Sequence, residues 1–258
     1  MLRLSDIKLV CSKEELAHIP EGKVLINTIN AHSYNVAQVD EAFAQALKAS
    51  DGKYLIPDGV AIVKACKWLK AKSQPKERIA GWDLFSFEML NLGRKSEKLK
   101  VNSEKRNEKC RVMFMGSSEK VLKLIRERCK VDYPNLEVVT YSPPYKAEFS
   151  EEENREIIRA INEARPDLLW IGMTAPKQEK WIWQHWQELD IDCHVGTIGA
   201  VFDFYAGTVK RAPMWFQQHG LEWLYRLAKE PKRMWRRYVI GNPLFVWNIL
   251  KEYYGKKE

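Results

Sequence analysis

Two short apolar runs near the start of the chain end abruptly in small polar residues: Val24-Leu-Ile-Asn-Thr-Ile-Asn30 and Tyr54-Leu-Ile-Pro-Asp-Gly59. A β-branched run that stops this way predicts a strand delivering polar side chains to its C-terminal edge, where open α/β sheets take their ligands. Between the runs, Val36, Val39, Phe43 and Leu47 recur at helical spacing until Asp51-Gly52, which predicts a compact β-α-β start. Residues up to about Lys23 read as an edge strand and a short polar segment. A helix is expected over residues 60–71, a short extended piece at Arg78-Ile-Ala-Gly81, and another helix from about Asp83 to Leu92.

From Arg111 the pattern alternates regularly. Strands are expected at Arg111–Met115, Leu136–Tyr141, Asp167–Met173 and Cys193–Ile198. Helices are expected at Ser118–Lys130, Ser150–Ala164 and Pro176–Leu189, the second opened by a capping-box sequence, Ser150-Glu-Glu-Glu153, and the third by a proline in its first turn. Such alternation predicts an α/β fold, a Rossmann-like parallel sheet flanked by helices. After Phe204 come a helix from about Trp215 to Glu230, one from Pro231 to about Val239, a break at Gly241-Asn-Pro243 and a last amphipathic helix, Leu244–Tyr254. The expected organisation is a smaller N-terminal β-α-β lobe over residues 1–93, a charged linker or insertion over 94–109, a Rossmann-like lobe over 110–204 and a helical C-terminal appendage over 205–258. The linker assignment rests on composition: Arg94 to Lys109 is almost wholly polar and buries too little surface to order itself.

Charge changes the picture in one place. The chain of 258 residues has a formal net charge of +8, and from Tyr205 onward eleven Lys/Arg stand against four Glu, leaving +7 there, beside eleven of the 29 aromatic residues. A basic, aromatic segment suits nucleic acid, an anionic ligand or a membrane interface. Aromatics interleaved with Arg suit the headgroup layer, Arg grips phosphate bidentately, and no groove-reading motif is present, so nucleic acid ranks below pyrophosphate and lipid. The five cysteines are scattered without a Cys-x-x-Cys pair, which predicts a reduced, cytosolic protein without structural zinc. No signal-peptide h-region and no apolar stretch of about 18 residues is visible.

Asp58 lies at a strand-to-helix junction. It is either an N-cap, which the strong cap preference of Asp favours, or a carboxylate aimed into a cleft. Gly116-Ser-Ser118 and Ser142-Pro-Pro-Tyr145 stand at strand ends; a lone Gly without Gly-x-Gly-x-x-Gly or a Walker A pattern is a weak phosphate-loop signal, and a tight turn explains it as well. The missing fingerprint also counts against a nicotinamide oxidoreductase. Gly172-Met-Thr-Ala-Pro-Lys-Gln-Glu179 is more specific: it brings Lys177 and Gln178 to a helix N-terminus, an anion site, and Gln178 both donates and accepts as a uracil or sugar edge requires. Asp203, between Phe202 and Phe204, reads as a buried structural acid paired with Lys210 or Arg211.

Together these motifs resemble the WecG/TagA/CpsF family of glycosyltransferases, glycosyltransferase family 26. The resemblance is carried, in order along nearly the whole chain, by Thr28-x-Asn30, Pro57-Asp-Gly59, Arg78-Ile-Ala-Gly81, Gly172 with Pro176-Lys-Gln-Glu179, Gly199 with Phe202-Asp-Phe204, Ala206-Gly207, Lys210-Arg-Ala-Pro213 and Glu222-Trp-Leu-Tyr-Arg226 followed by Glu230-Pro231, Arg233 and Arg236-Arg237. The chain departs at Thr174-Ala175 and in the longer charged segment 94–109. The resemblance implies an inverting, metal-independent transferase, without cofactor, that moves an N-acetylmannosamine-type sugar from a UDP donor to a polyprenyl-diphosphate-linked amino sugar for surface polysaccharide or teichoic acid-type polymers. It implies Asp58 as general base with Thr28 beside it and Gln178 as a substrate contact; Asn30, Gly59, Arg78, Gly116, Tyr145, Gly172 and Lys177 are further candidate substrate-binding residues. Arg226, Arg233 and Arg236 are implied to steady the diphosphate. The expected setting is peripheral, on the cytoplasmic face of the membrane, reached through the C-terminal helices, with no nucleic-acid partner and with self-association left open. The alternative is a non-catalytic nucleotide- or nucleic-acid-binding protein using the basic tail.

Overall fold

The computed structural model describes residues 1–48, 50, 52–102 and 109–255. In chain order the elements are α1 (Lys13–Leu16), β1 (Val24–Ile29), α2 (Ala31–Ala37), α3 (Glu41–Ala46), β2 (Lys53–Pro57), α4 (Val60–Trp68), α5 (Gly81–Asn102), β3 (Arg111–Gly116), α6 (Glu119–Asp132) and β4 (Glu137–Tyr141). They continue with α7 (Glu151–Ala164), β5 (Leu168–Gly172), α8 (Lys177–His185), β6 (His194–Thr197), α9 (Gly199–Ala206), α10 (Met214–Gln218), α11 (Glu222–Lys229), α12 (Pro231–Trp235) and α13 (Gly241–Tyr254). The strands form one sheet in the order β2-β1-β6-β5-β3-β4, with β1–β6, β6–β5, β5–β3 and β3–β4 all parallel. This is the expected Rossmann-like α/β architecture.

The chain divides into two compact units: Met1–His18 with Thr28–Ala80 and Lys210–Glu258, and Ile19–Asn27 with Gly81–Val209. The second unit holds the central strands. The inner residues of β3, β5 and β6 are enclosed on both faces, which explains the near-continuous apolar sequences of β3 and β5. On one face Met113, Met115, Leu169 and Ile171 pack with Ile157, Ile161, Trp181 and Ile182 from α7 and α8. The other carries an aromatic layer in which Phe114 meets Phe202 at 5.4 Å and Phe85 meets Trp170 at 5.5 Å. Gly196 is required there: a Cβ would lie 2.2 Å from the Trp170 ring. β4 and β5 lie on opposite sides of β3, so the strand order reverses between β3 and β5, the switch point at which such sheets bind ligands.

The first unit has its own core, in which Leu4, Tyr34, Phe43, Leu55 and Ile62 pack with Phe245 and Ile249 of α13. Tyr34 meets Phe245 edge-on at 5.4 Å. The buried Glu252 carboxylate accepts from Leu4 N at 3.0 Å, Ser5 N at 2.6 Å and the Tyr34 hydroxyl at 2.6 Å.

Several elements differ from the expectation, each for a physical reason. The N-terminal stretch forms no strand among its described residues; Ser12 instead caps the short α1. The helix expected over Val36–Leu47 is two helices, because Asp40 caps α3 and leaves Val39 exposed at the corner. Of the expected Asp51-Gly52 stop, Asp51 lies outside the described residues. Helix α5 runs ten residues past Leu92 into the charged segment, whose residues 103–108 lie outside the described set. Ser96 anchors this extension: its hydroxyl donates to Asn135 O at 2.7 Å and accepts from Cys110 N at 3.1 Å, a polar tie invisible to an apolar count. The glycine-rich stretch from Gly199 is helical, with Val201, Phe202 and Tyr205 in the core. The helix expected over residues 215–230 breaks at Gly220 (φ +69°) into α10 and α11. Gly241-Asn-Pro243 breaks nothing: a π turn over Arg236–Ile240, closed by Gly241 N–H on Arg236 O, leads straight into α13 and leaves Pro243 in its first turn.

Candidate active site

In the first unit, β1 and β2 end together. The Asp58 backbone N–H donates to Ile29 O at 2.8 Å, which fixes the turn that follows β2. The N-cap position of α4 is Gly59, one residue after Asp58. The Asp58 carboxylate is half-buried at this junction. Thr28 is half-buried on β1. Asn30 caps α2, its oxygen accepting from His32 N at 3.0 Å and Ser33 N at 3.1 Å, and a Cβ on Gly59 would lie 3.7 Å from the Asn30 Cβ.

The charge around Asp58 comes from the C-terminal helices of the same unit. The Arg237 guanidinium feels burial, which lowers its proton affinity, then the opposing pulls of Tyr238, Arg226, Asp58 and Arg233. Its Nε is enclosed without a hydrogen-bond partner. His32, half-buried at the start of α2, is pushed down to about 4 by burial and by Arg237. Asp58, Arg226, Arg233, Arg237 and His32 thus form one electrostatic cluster. Arg226 is half-buried, whereas Arg233 is exposed and pairs with Glu230 at 2.9 Å, and Arg236 is exposed. Arg78 is held by Glu222 at 2.5 Å, and the second Glu222 oxygen lies 3.5 Å from Arg211 Nε.

In the second unit, the expected residues collect around the switch point. Gly116 (φ +114°) and Gly172 lie side by side at the ends of β3 and β5, so closely that a Cβ on Gly116 would meet Gly172 O at 2.5 Å. Lys177 Nζ donates to Lys146 O at 2.5 Å and sits 3.5 Å above the Phe149 ring. Burial lowers its proton affinity. Gln178 is buried and donates to Glu179 at 2.8 Å. Tyr145 is fully exposed. Asp203 is half-buried rather than enclosed and accepts from the Thr208 hydroxyl at 3.2 Å. One Asp-x-Asp pair is present, Asp190-Ile-Asp192, but it precedes β6, at the end of the sheet opposite the ligand edge.

Arg237, Glu222 and Glu179 stand in the motifs quoted from sequence but were given no role there, and His32 was not named. Arg237 stood beside Arg236 in an equally basic, aromatic context, and only the helix phase, altered by the π turn, separates them. Glu222 carried a signal, an acid following the Gly220 break in a basic segment.

Set beside known proteins, the chain falls in the class of glycosyltransferases. Over residues 6–258 it matches the glycosyl transferase WecG/TagA/CpsF family, and it belongs to that family. Among its relatives, a protein of Bacillus spizizenii (strain ATCC 23059 / NRRL B-14472 / W23) is 31% identical over 248 residues, 96% of this chain and 87% of that one. One of Bacillus subtilis (strain 168) is 29% identical over 233 residues, 90% and 81% of the two chains. One of Staphylococcus aureus (strain MW2) is 28% identical over 240 residues, 93% and 84%. Each of these relatives is an N-acetylglucosaminyldiphosphoundecaprenol N-acetyl-beta-D-mannosaminyltransferase. Among the described residues no helix is long and apolar enough to cross a membrane.

Proposed function

We propose that the protein transfers an N-acetylmannosamine-type sugar from a UDP donor to a polyprenyl-diphosphate-linked N-acetylglucosamine-type acceptor, with inversion and without a metal. The substrates follow those in the relatives' names, apart from the UDP carrier, which rests on the family resemblance. The observation that carries the reading is the half-buried carboxylate of Asp58, just past the C-terminal end of β2 and within the electrostatic field of Arg237.

In this reading Asp58 takes the proton of the acceptor hydroxyl as its oxygen bonds the sugar C1. The C1–O bond to UDP breaks on the opposite face, and the electron pair leaves with the nucleotide. Fixed cations and helix N-termini offset the charge that develops on the diphosphates. Arg226, Arg233 and Arg237 supply the cations, Arg237 in place of the exposed Arg236 expected from sequence; within the second unit, Gln178 and the glycine pair are the candidate contacts of the nucleotide sugar. Thr28 orients the acceptor, and Asn30 keeps the Thr28–Asp58 edge rigid through its cap.

The acceptor's lipid tail calls for a peripheral position on the cytoplasmic face of the membrane. The exposed Trp215, Trp223, Trp235 and Trp247, among eleven Lys/Arg, support contact with an anionic surface. Asp58→Asn is isosteric and tests the reading. Its turnover should fall by about a thousandfold, within the range for a general base, while UDP affinity stays near normal. Wild-type turnover in that variant removes Asp58 from the chemistry.

A further inference from the structure

The mechanism above gives no part to a second buried acid. Glu179 is 2% exposed and Gln178 4%, both in the first turn of α8 beyond the C-terminal end of β5. Gln178 Nε2 donates to Glu179 Oε1 at 2.8 Å, and Gln178 Oε1 and Glu179 Oε2 are both enclosed without a hydrogen-bond partner. Neighbouring residues on a helix do not ordinarily face each other, so this contact adds little to the helix itself. The Gln178 oxygen is turned toward the start of α9, where a Cβ on Gly199 would lie 3.0 Å from it and 2.4 Å from Met173 O. Any larger residue at Gly199 would collide there, so the glycine lets the backbone of α9 come right up to the amide. An enclosed amide oxygen of this kind is costly until a donor reaches it.

We propose that Glu179 is a positioning residue: it holds the NH2 side of the Gln178 amide inward, so that the Gln178 oxygen faces the donor site as a fixed acceptor for an N–H or O–H of the nucleotide sugar. The proposal rests on the donor-binding reading of Gln178. A glutamine amide left to itself can turn either way, and its two ends select opposite partners. A carboxyl oxygen opposite the NH2 group removes that choice. Burial pushes Glu179 up to about 7, and a proton on Oε2 still leaves Oε1 to accept, so the amide keeps its direction in both states. The group recognised is a polar hydrogen on the uracil or on a sugar hydroxyl.

The test uses the full chain with Glu179→Met, Glu179→Gln, Gln178→Ala and the double variant Glu179→Met/Gln178→Ala. Calorimetry gives affinities for UDP and for the UDP-sugar, and steady-state assays give kcat and KM. Glu179→Met and Gln178→Ala should each weaken donor binding about tenfold, the scale of one hydrogen bond, with kcat within about threefold. The double variant should be no weaker than Gln178→Ala alone, because the two act through one amide. Glu179→Gln, which still offers an acceptor, should bind within about threefold of wild type. Loss with UDP alone assigns the contact to the base, and loss only with the UDP-sugar assigns it to a hydroxyl; either supports the proposal. If Gln178→Ala is weak but Glu179→Met binds normally, or the two losses add, the positioning role fails while the donor reading stands. If Gln178→Ala itself binds normally, both fail. Should Glu179→Met not fold, Glu179→Gln still decides: a large loss of kcat at unchanged affinity would make the carboxyl a proton-transfer group instead.

Discussion

Arg237 is a half-buried cation close to two others and to one carboxylate, with its Nε enclosed and unmatched. Burying a cation without a full set of acceptors weakens a fold, so such an arrangement persists where an anionic substrate completes it. Replacing Arg237 by Met should therefore leave Tm unchanged or raise it, while kcat/KM falls about a hundredfold, the lower end of what one stabilising donor contributes. Normal kcat/KM with lowered Tm would make the residue structural. His32 gives a pH signature of the same cluster. Its folded pKa is depressed to about 4, while the unfolded chain holds a ring proton below about 6.5. Its contribution to stability is present above the unfolded value and is lost as pH falls through the folded one. His32→Gln should lose less stability than wild type between about pH 6.5 and 4, as read from denaturant midpoints across that window. Parallel curves would show that neither burial nor Arg237 depresses His32. At this scale the junction at Asp58 was legible, because an apolar run ending in Pro-Asp-Gly marks a strand end and a turn, and the structure puts Gly59 at the N-cap position. Glu179 was not: nothing in Pro-Lys-Gln-Glu says which of two adjacent polar residues turns inward.

The elements read from sequence are those set by strong local signals. Ser118 and Ser150 cap their helices as the sequence indicates, the latter with the full capping box. The misread elements are those decided by tertiary contact. The second half of α5 is held by a serine hydroxyl, the Gly220 break packs against the start of α4, where a Cβ on Gly220 would come within 3.1 Å of Val60, and the Gly-Asn-Pro segment stays helical behind a π turn. α13 is the clearest case. An amphipathic C-terminal helix looks dispensable, yet buried Glu252 binds three donors, and Asn35 ties α2 to it by donating to Gly241 O at 2.7 Å. Glu252→Gln keeps one accepting oxygen and turns an NH2 group toward a donor at the other. It should cost about 2–4 kcal/mol through that unsatisfied pair. At about 2–4 °C per kcal/mol for a chain of this size, the thermal midpoint should drop by several degrees or more. Tyr34→Phe removes a single bond and should cost about 1 kcal/mol. Equal midpoints for Glu252→Gln and wild type would show that the three contacts carry no net stability.

Across the whole molecule, the C-terminal segment completes a core and, in the proposed reading, makes the membrane contact, and a simple deletion would confuse the two. Residues 210–258 belong to the first unit and place Phe245 and Ile249 in its core, so removing them uncovers apolar surface and destroys the fold along with any membrane contact. The exposed tryptophans separate the roles. Trp215, Trp235 and Trp247 are 56%, 47% and 56% exposed, so replacing them by Gln leaves the core intact. Indole rings partition into the headgroup layer, and nearby Lys and Arg add an attraction to anionic lipid that salt screens. Co-sedimentation of the triple variant with vesicles containing anionic lipid should fall at least tenfold. Its Tm, and its turnover of a short-chain, water-soluble acceptor analogue, should match wild type. Turnover of the full-length lipid acceptor in vesicles should drop in parallel with binding. If binding persists while turnover is lost, these rings serve the reaction and not the surface; if neither changes, the membrane contact lies elsewhere on the chain.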